Sequence, residues 1–149
     1  MINFGQKCLL CNNAIDTPKH LFERCEVGNM LRAKRDIIFS KLNFENISLN
    51  EDERTYCMFR QNEIKDKVMQ YLVTVSNYSI FRVKMKKFYD RQHIITNEEP
   101  LYIFLNRIKI RITCDHKRLN YNNFKEIWAP HNNLGICLFN ENKILQWLI

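Results

Sequence analysis

The chain has 149 residues, of which 46% are hydrophobic, 12% aromatic and 26% charged. That length supports one modest core, and the balance is that of a folded chain rather than a disordered one. Three Gly and three Pro argue against a turn-rich β-sandwich, and no apolar run approaches the roughly 18–20 residues that cross a bilayer.

The first residues, Met1-Ile2-Asn3-Phe4-Gly5-Gln6-Lys7, lack the apolar stretch of a secretory signal. The expectation is a soluble intracellular protein with no membrane partner. Net charge is +7, with seven cations against three acids after residue 100, a balance compatible with phosphate backbones as partners. Six cysteines could form a disulfide framework, but three of them crowd into the first 25 residues. In a reducing compartment that spacing fits a metal site better.

The head of the chain reads Cys8-Leu9-Leu10-Cys11, eight residues, then His20-Leu21-Phe22-Glu23-Arg24-Cys25. Two thiolates separated by two residues can grip one ion from a single tight turn. His20 and Cys25, arriving from a second element, complete a tetrahedron of three sulfurs and one imidazole nitrogen, the donor set of a structural Zn2+ with no open position. Thr17-Pro18 supplies a helix start, with Thr as N-cap and Pro at the first helical position. That places His20 in the first turn and Cys25 near the end of a short helix. Asn12 and Asn13 suit the turn that leaves the knuckle. Cys114-x-His116 and His131-x5-Cys137 read as core cysteines and solvated histidines rather than as a second site.

Downstream, Val27, Met30, Leu31, Ile38 and Leu42 describe an amphipathic helix. Ser48 with Glu51 predicts a capping box before a short helix over roughly 50–60. Between about 61 and 91 there is no Gly or Pro. Ile64, Val68, Leu72, Val75 and Ser79, with a second row of Met69, Val73, Ile80 and Val83, predict a long helix buried on a broad face. Asn97-Glu98-Glu99-Pro100 starts another helix of about five turns carrying Leu101, Phe104, Leu105, Ile108, Ile112 and Leu119. Asn122 or Asn123 can cap a short helix with Phe124, Ile127 and Trp128. Residues 136–139 and 144–148, flanking Asn140-Glu141-Asn142-Lys143, predict a terminal β-hairpin. The expected architecture is mainly α: a CCHC zinc knuckle over 1–27, then a helical bundle over 28–149 packed with it as one unit.

Basic residues form two clusters. Arg82, Lys84, Lys86, Lys87 and Arg91 end the long helix, among Tyr78, Phe81, Phe88 and Tyr89. Arg107, Lys109, Arg111, Lys117 and Arg118 line the next one. Paired antiparallel, the two helices would put both clusters on one surface for RNA or DNA, with Arg82, Lys84, Lys86, Lys87, Arg107, Lys109 and Arg111 as the candidate contacts. The plainer reading is a solvated helical face whose cations favour the helix dipole.

Cys8-Leu-Leu-Cys11, followed by Asp16-Thr17-Pro-Lys-His20-Leu21-Phe22-Glu-Arg-Cys25, resembles the zinc-binding segment that follows the polymerase core in LINE-type (non-LTR) retrotransposon reverse transcriptases. Asn77-Tyr78-Ser79-Ile80-Phe81-Arg82 is similar to that family's K-Y-x-I-W-K helix, with Asn77 in place of a basic residue. Phe124-Lys-Glu-Ile-Trp128 and Leu134-Gly-Ile-Cys137 are similar to its F-x-x-x-W and L-C ending. The resemblance spans nearly the entire chain and implies a C-terminal fragment that helps hold nucleic acid, with a reverse transcriptase core as a further partner. The paired aspartates of a polymerase palm are missing, as are a Gly-rich phosphate loop and a Ser-His-Asp or Cys-His pairing distinct from the zinc ligands. The expectation is therefore a non-enzyme. The competing expectation is a zinc-stabilised structural or protein-interaction domain that binds no nucleic acid.

Overall fold

A computed structural model describes residues 5–42, 49–57, 64–128, 137–139 and 145–147. It is mainly helical. After a cysteine-bearing knuckle come a one-turn 3-10 segment, Glu26–Gly28, and helix α1, Asn29–Lys41. Then follow α2, Glu51–Tyr56; α3, Ile64–Tyr89; α4, Glu98–Arg118; and α5, Tyr121–Trp128.

The long α3 has no glycine or proline to interrupt its ladder, and it buries the described side chains of both rows that the sequence marks, Ile64 lying outside them. Val68, Leu72, Val75 and Ser79 on one row and Met69, Val73, Ile80 and Val83 on the other are buried. Helix α4 lies antiparallel to α3: Tyr71 donates to the Arg107 carbonyl at one end, and Lys86 reaches Glu99 at the other. Phe104, Ile108 and Ile112, spaced four residues apart, are completely buried from α4. Leu31 and Ile38 enter the same core from α1, as do Phe124 and Trp128 from α5. Each such side chain contributes about 1.5–3 kcal/mol by leaving water. Cys8, Leu10, Leu21, Cys25 and Val27 belong to this core as well, so the knuckle packs on the helices.

Helix ends depart from expectation in instructive ways. Helix α2 begins at Glu51, so its cap is Asn50: the Asn50 side chain accepts from the Glu53 amide at 2.8 Å, and Glu53 accepts from the Asn50 amide. The capping box is therefore Asn50 with Glu53 and not Ser48 with Glu51; Ser48 lies outside the described residues. Cys57, left-handed at φ 54°, ends that helix. In α5 the cap is Asn120, which accepts from the Asn123 amide at 2.9 Å, and Asn122 and Asn123 sit inside the helix. On α1, Met30 is exposed and Arg35 is buried, which inverts the simple apolar stripe. The expected terminal hairpin is not supported as part of the helical body. The described residues there are two three-residue stretches of paired backbone, Cys137–Phe139 and Leu145–Trp147, and the turn between them lies outside the described residues. Among the described residues, no helix is long and apolar enough to cross a membrane.

Candidate metal centre

The knuckle is shaped by its backbone. The Cys8 amide donates to the Ala14 carbonyl at 2.7 Å and the Asp16 amide to the Gln6 carbonyl at 2.8 Å, with Lys7 and Ile15 bridged antiparallel. At the turn, Asn12 takes φ 57°, a conformation asparagine tolerates better than most residues, and its amide donates to the Cys8 carbonyl at 2.8 Å. The chain therefore doubles back with Cys8 and Cys11 on the inside.

The second pair of candidate ligands comes from a short helical turn. Thr17 caps it, accepting from the His20 amide at 3.1 Å through its hydroxyl, and Pro18 follows at the position where a missing N–H costs nothing. The turn then widens: the Cys25 amide bonds the His20 carbonyl, five residues back, at 2.6 Å. A five-residue step brings Cys25 to the side of the turn that His20 faces.

The four candidate ligand atoms, one each from Cys8, Cys11, His20 and Cys25, all lie within 4.8 Å of one another. Cys8 Sγ is 3.9 Å from Cys25 Sγ, and Cys11 Sγ is 3.2 Å from His20 Nε2. A tetrahedron with metal–sulfur bonds of about 2.3 Å has sulfur–sulfur edges of about 3.8 Å, so the cage accepts one metal ion with movements of an ångström or less. Cys8 and Cys25 are buried; Cys11 and His20 are half-buried. The Cys8 thiol is lowered to about 4, chiefly by the hydrogen bond from Cys25, with help from nearby backbone amides. Cys25 is driven the other way by that same bond and by burial. Burial disfavours a second thiolate beside the first, so a cation between the sulfurs would favour ionisation of both.

Around the ligands stands a shell of charged side chains. The Arg32 guanidinium, buried and with its pKa lowered by desolvation, donates to the Cys25 carbonyl at 2.5 Å, the Phe22 carbonyl at 3.2 Å and Asn29 Oδ1 at 2.6 Å. Glu23, between the last two ligands, meets Arg54 of α2 at 3.0 Å and Arg35 of α1 at 3.7 Å. Asp16 accepts from Lys84 of α3 at 2.6 Å. The knuckle is thereby tied to three helices. Sequence reasoning missed Arg32, Arg35 and Glu23; the available signal was charge interleaved with a Cys/His segment that must pack against something. Elsewhere, Cys114 is exposed and the His116 ring stands edge-on to Phe124. No second cluster of three or more ligand-type side chains gathers among the described residues.

The candidate nucleic-acid contacts have diverse placements. Lys84 is held by Asp16, and Lys87 donates to the Arg91 and His93 carbonyls at the end of α3. Lys86 pairs with Glu99 at 2.8 Å. Arg107 lies over the Tyr78 ring, 5.1 Å from its centroid, and Arg111 over Tyr71 at 5.0 Å while also pairing with Asp115. Arg82 is exposed and Lys109 half-buried. The antiparallel pairing does bring Arg82, Lys86, Arg107 and Arg111 to the α3–α4 seam. Comparison of the chain with family models, with curated proteins and with solved structures finds no match.

Proposed function

We propose that this chain is a zinc-stapled nucleic-acid-binding module, similar to the C-terminal region of non-LTR retrotransposon reverse transcriptases without the polymerase core, and not an enzyme by itself. The observation that carries the zinc reading is the convergence of Cys8, Cys11, His20 and Cys25 within 4.8 Å. Three thiolates and an imidazole are soft, tetrahedral donors that favour zinc, and with all four positions filled by protein the ion is structural rather than catalytic. The ion's role is to hold the knuckle against the helices, because a segment that short cannot bury a core of its own. The nucleic-acid reading draws on the +7 net charge and on the cations along α3 and α4.

The test is direct. Purified protein should contain one zinc per chain, and its binding to labelled RNA or DNA should weaken steeply between 50 and 200 mM salt, as phosphate contacts require. Protein without stoichiometric metal would remove the zinc assignment. Zinc-loaded protein that binds no nucleic acid at low salt would leave the competing reading, a zinc-stabilised interaction domain. The internal partners of Lys84 and Lys87 favour that second reading, since those cations already serve the fold.

A further inference from the structure

The seam between α3 and α4 widens near the end of α3 into an open groove, lined in part by Arg82, Met85, Lys86, Tyr89, Tyr102 and Asn106. Its two tyrosines are unusually bare: Tyr89 is 80% exposed and Tyr102 62%. Large rings held in water on a rigid helix gain nothing for the fold, and so mark a surface that meets something else. The carboxylate in that lining, Glu99, is already engaged by Lys86 and His93. Asp90 and Glu98, the chain neighbours of Tyr89 and Glu99, are both exposed.

From the groove toward the carboxyl end of α4 the seam becomes cationic and aromatic together. Arg107 lies over Tyr78 and donates to its hydroxyl at 3.2 Å, and Arg111 lies over Tyr71. These guanidiniums are fixed in orientation before any ligand arrives. Phe81, also on α3, is exposed beside Arg82. Tyr71 and Tyr89, with Tyr78 between them, lie 18 residue steps apart on one helix, about 27 Å at 1.5 Å per residue. Stacking rings alternating with oriented cations are complementary to a polyanion that carries flat apolar faces, which an acidic peptide lacks. Base faces are covered by their neighbours inside a duplex and open in a single strand, so exposed rings favour the single strand.

We infer that this seam holds a short single-stranded nucleic acid, with bases stacked on Tyr89 and Tyr102 and the phosphate backbone on Arg82 and Arg107. The inference rests on the nucleic-acid reading above and narrows it to one surface and one strand state.

The experiment uses the zinc-loaded full chain and fluorescence anisotropy with a labelled oligo-dT or oligo-U 15-mer, a hairpin duplex of equal charge, and polyglutamate as competitor. Single strands should bind at least tenfold more tightly than the duplex. The double variant Tyr89→Ala/Tyr102→Ala should weaken binding about tenfold or more, and Tyr89→Phe/Tyr102→Phe should retain it, because stacking needs the ring and not the hydroxyl. Arg82→Gln should weaken binding and flatten the salt dependence by roughly 0.7 in log–log slope, while Lys41→Gln, exposed at the end of α1, should do neither. Equal affinity for duplex with an unaffected Tyr double variant would overturn the inference and leave the broader reading standing. Displacement by polyglutamate as effective as by oligonucleotide would overturn it in favour of an acidic peptide. Absence of binding to every nucleic acid at 50 mM salt would remove both. Because both tyrosines are exposed, thermal unfolding of the variants should match that of the parent protein.

Discussion

A methyl group on Gly28 would stand 2.4 Å from Nη1 of Arg32 and 3.0 Å from Cδ1 of Ile80. The backbone of Gly28, at φ −88°, is open to any residue, so what the glycine supplies is space. Arg32 could swing aside only by releasing the carbonyls of Phe22 and Cys25, which it bonds from a buried position. Gly28→Ala should therefore destabilise the protein by about 1–3 kcal/mol, although alanine is the better helix former. A urea titration that showed the variant equal to or more stable than the parent would refute the tight fit.

Removing the metal should loosen one end of the molecule and spare the other. With a strong zinc chelator, amide exchange should accelerate across residues 8–28, whose turns hang on the four ligands. Exchange should stay slow in the middle of α3 and α4, where Leu72, Ile80, Phe104 and Ile108 are fully buried. Cys25→Ser should reproduce the chelated pattern without chelator. Uniform acceleration along the chain would mean that the ion supports the whole core.

Glu99 gives the acid limb of stability a specific handle. Burial pushes its carboxyl up, but hydrogen bonds from Lys86 and His93 outweigh that and hold it below the ordinary range. A carboxyl lowered in the folded state contributes its stability in full above the unfolded value, near 4.5, and loses it as pH falls through the folded value. The parent should thus lose urea resistance below about pH 4.5 more steeply than Glu99→Gln, the two curves converging in acid. Parallel curves from pH 7 to pH 3 would show that the triad of Lys86, His93 and Glu99 contributes nothing net. Protonation of the four candidate metal ligands is common to both proteins and cancels in the comparison.

Asp115 holds the junction of α4 and α5. It is buried, accepts from the Trp128 indole at 3.0 Å, and pairs with Arg111 and Arg118 at 3.1 Å each. Asp115→Ala would leave the indole N–H buried without an acceptor, costing about 2 kcal/mol. Trp128 and Trp147 are the two tryptophans of the chain, so a change in the emission of Trp128, isolated in a Trp147→Phe background, should accompany the loss. Stability within a few tenths of a kcal/mol of the parent would show that α5 docks through Phe124 and the Trp128 ring alone.

Much of this organisation is legible in the residues themselves. The ligand spacing of Cys8, Cys11, His20 and Cys25 and the Thr17-Pro18 start encode local geometry, and local geometry is what neighbouring residues determine. The rows of α3 are equally plain, because a helix buried on a broad face repeats its apolar positions at short intervals. The cap of α2 went astray by two residues: Ser48/Glu51 and Asn50/Glu53 are both valid pairs, and only the helix boundary chooses between them. Arg35 carries no sign that it is buried, since its partner Glu23 lies on another element. The same holds for Lys84, whose partner Asp16 is 68 residues away. Asn77 donates to the Arg54 and Thr55 carbonyls at the end of α2, a tertiary task that its neighbours in the sequence do not reveal.

The Asp16–Lys84 bridge also sets an order of events. During translation the cysteine-rich turn leaves the ribosome well before the lysine that will anchor it, a delay of roughly 3 to 14 s at 5–20 residues per second. The four candidate ligands can thus gather while the surface they will rest on is still being made. The turn can close on itself before it has a helix to dock on.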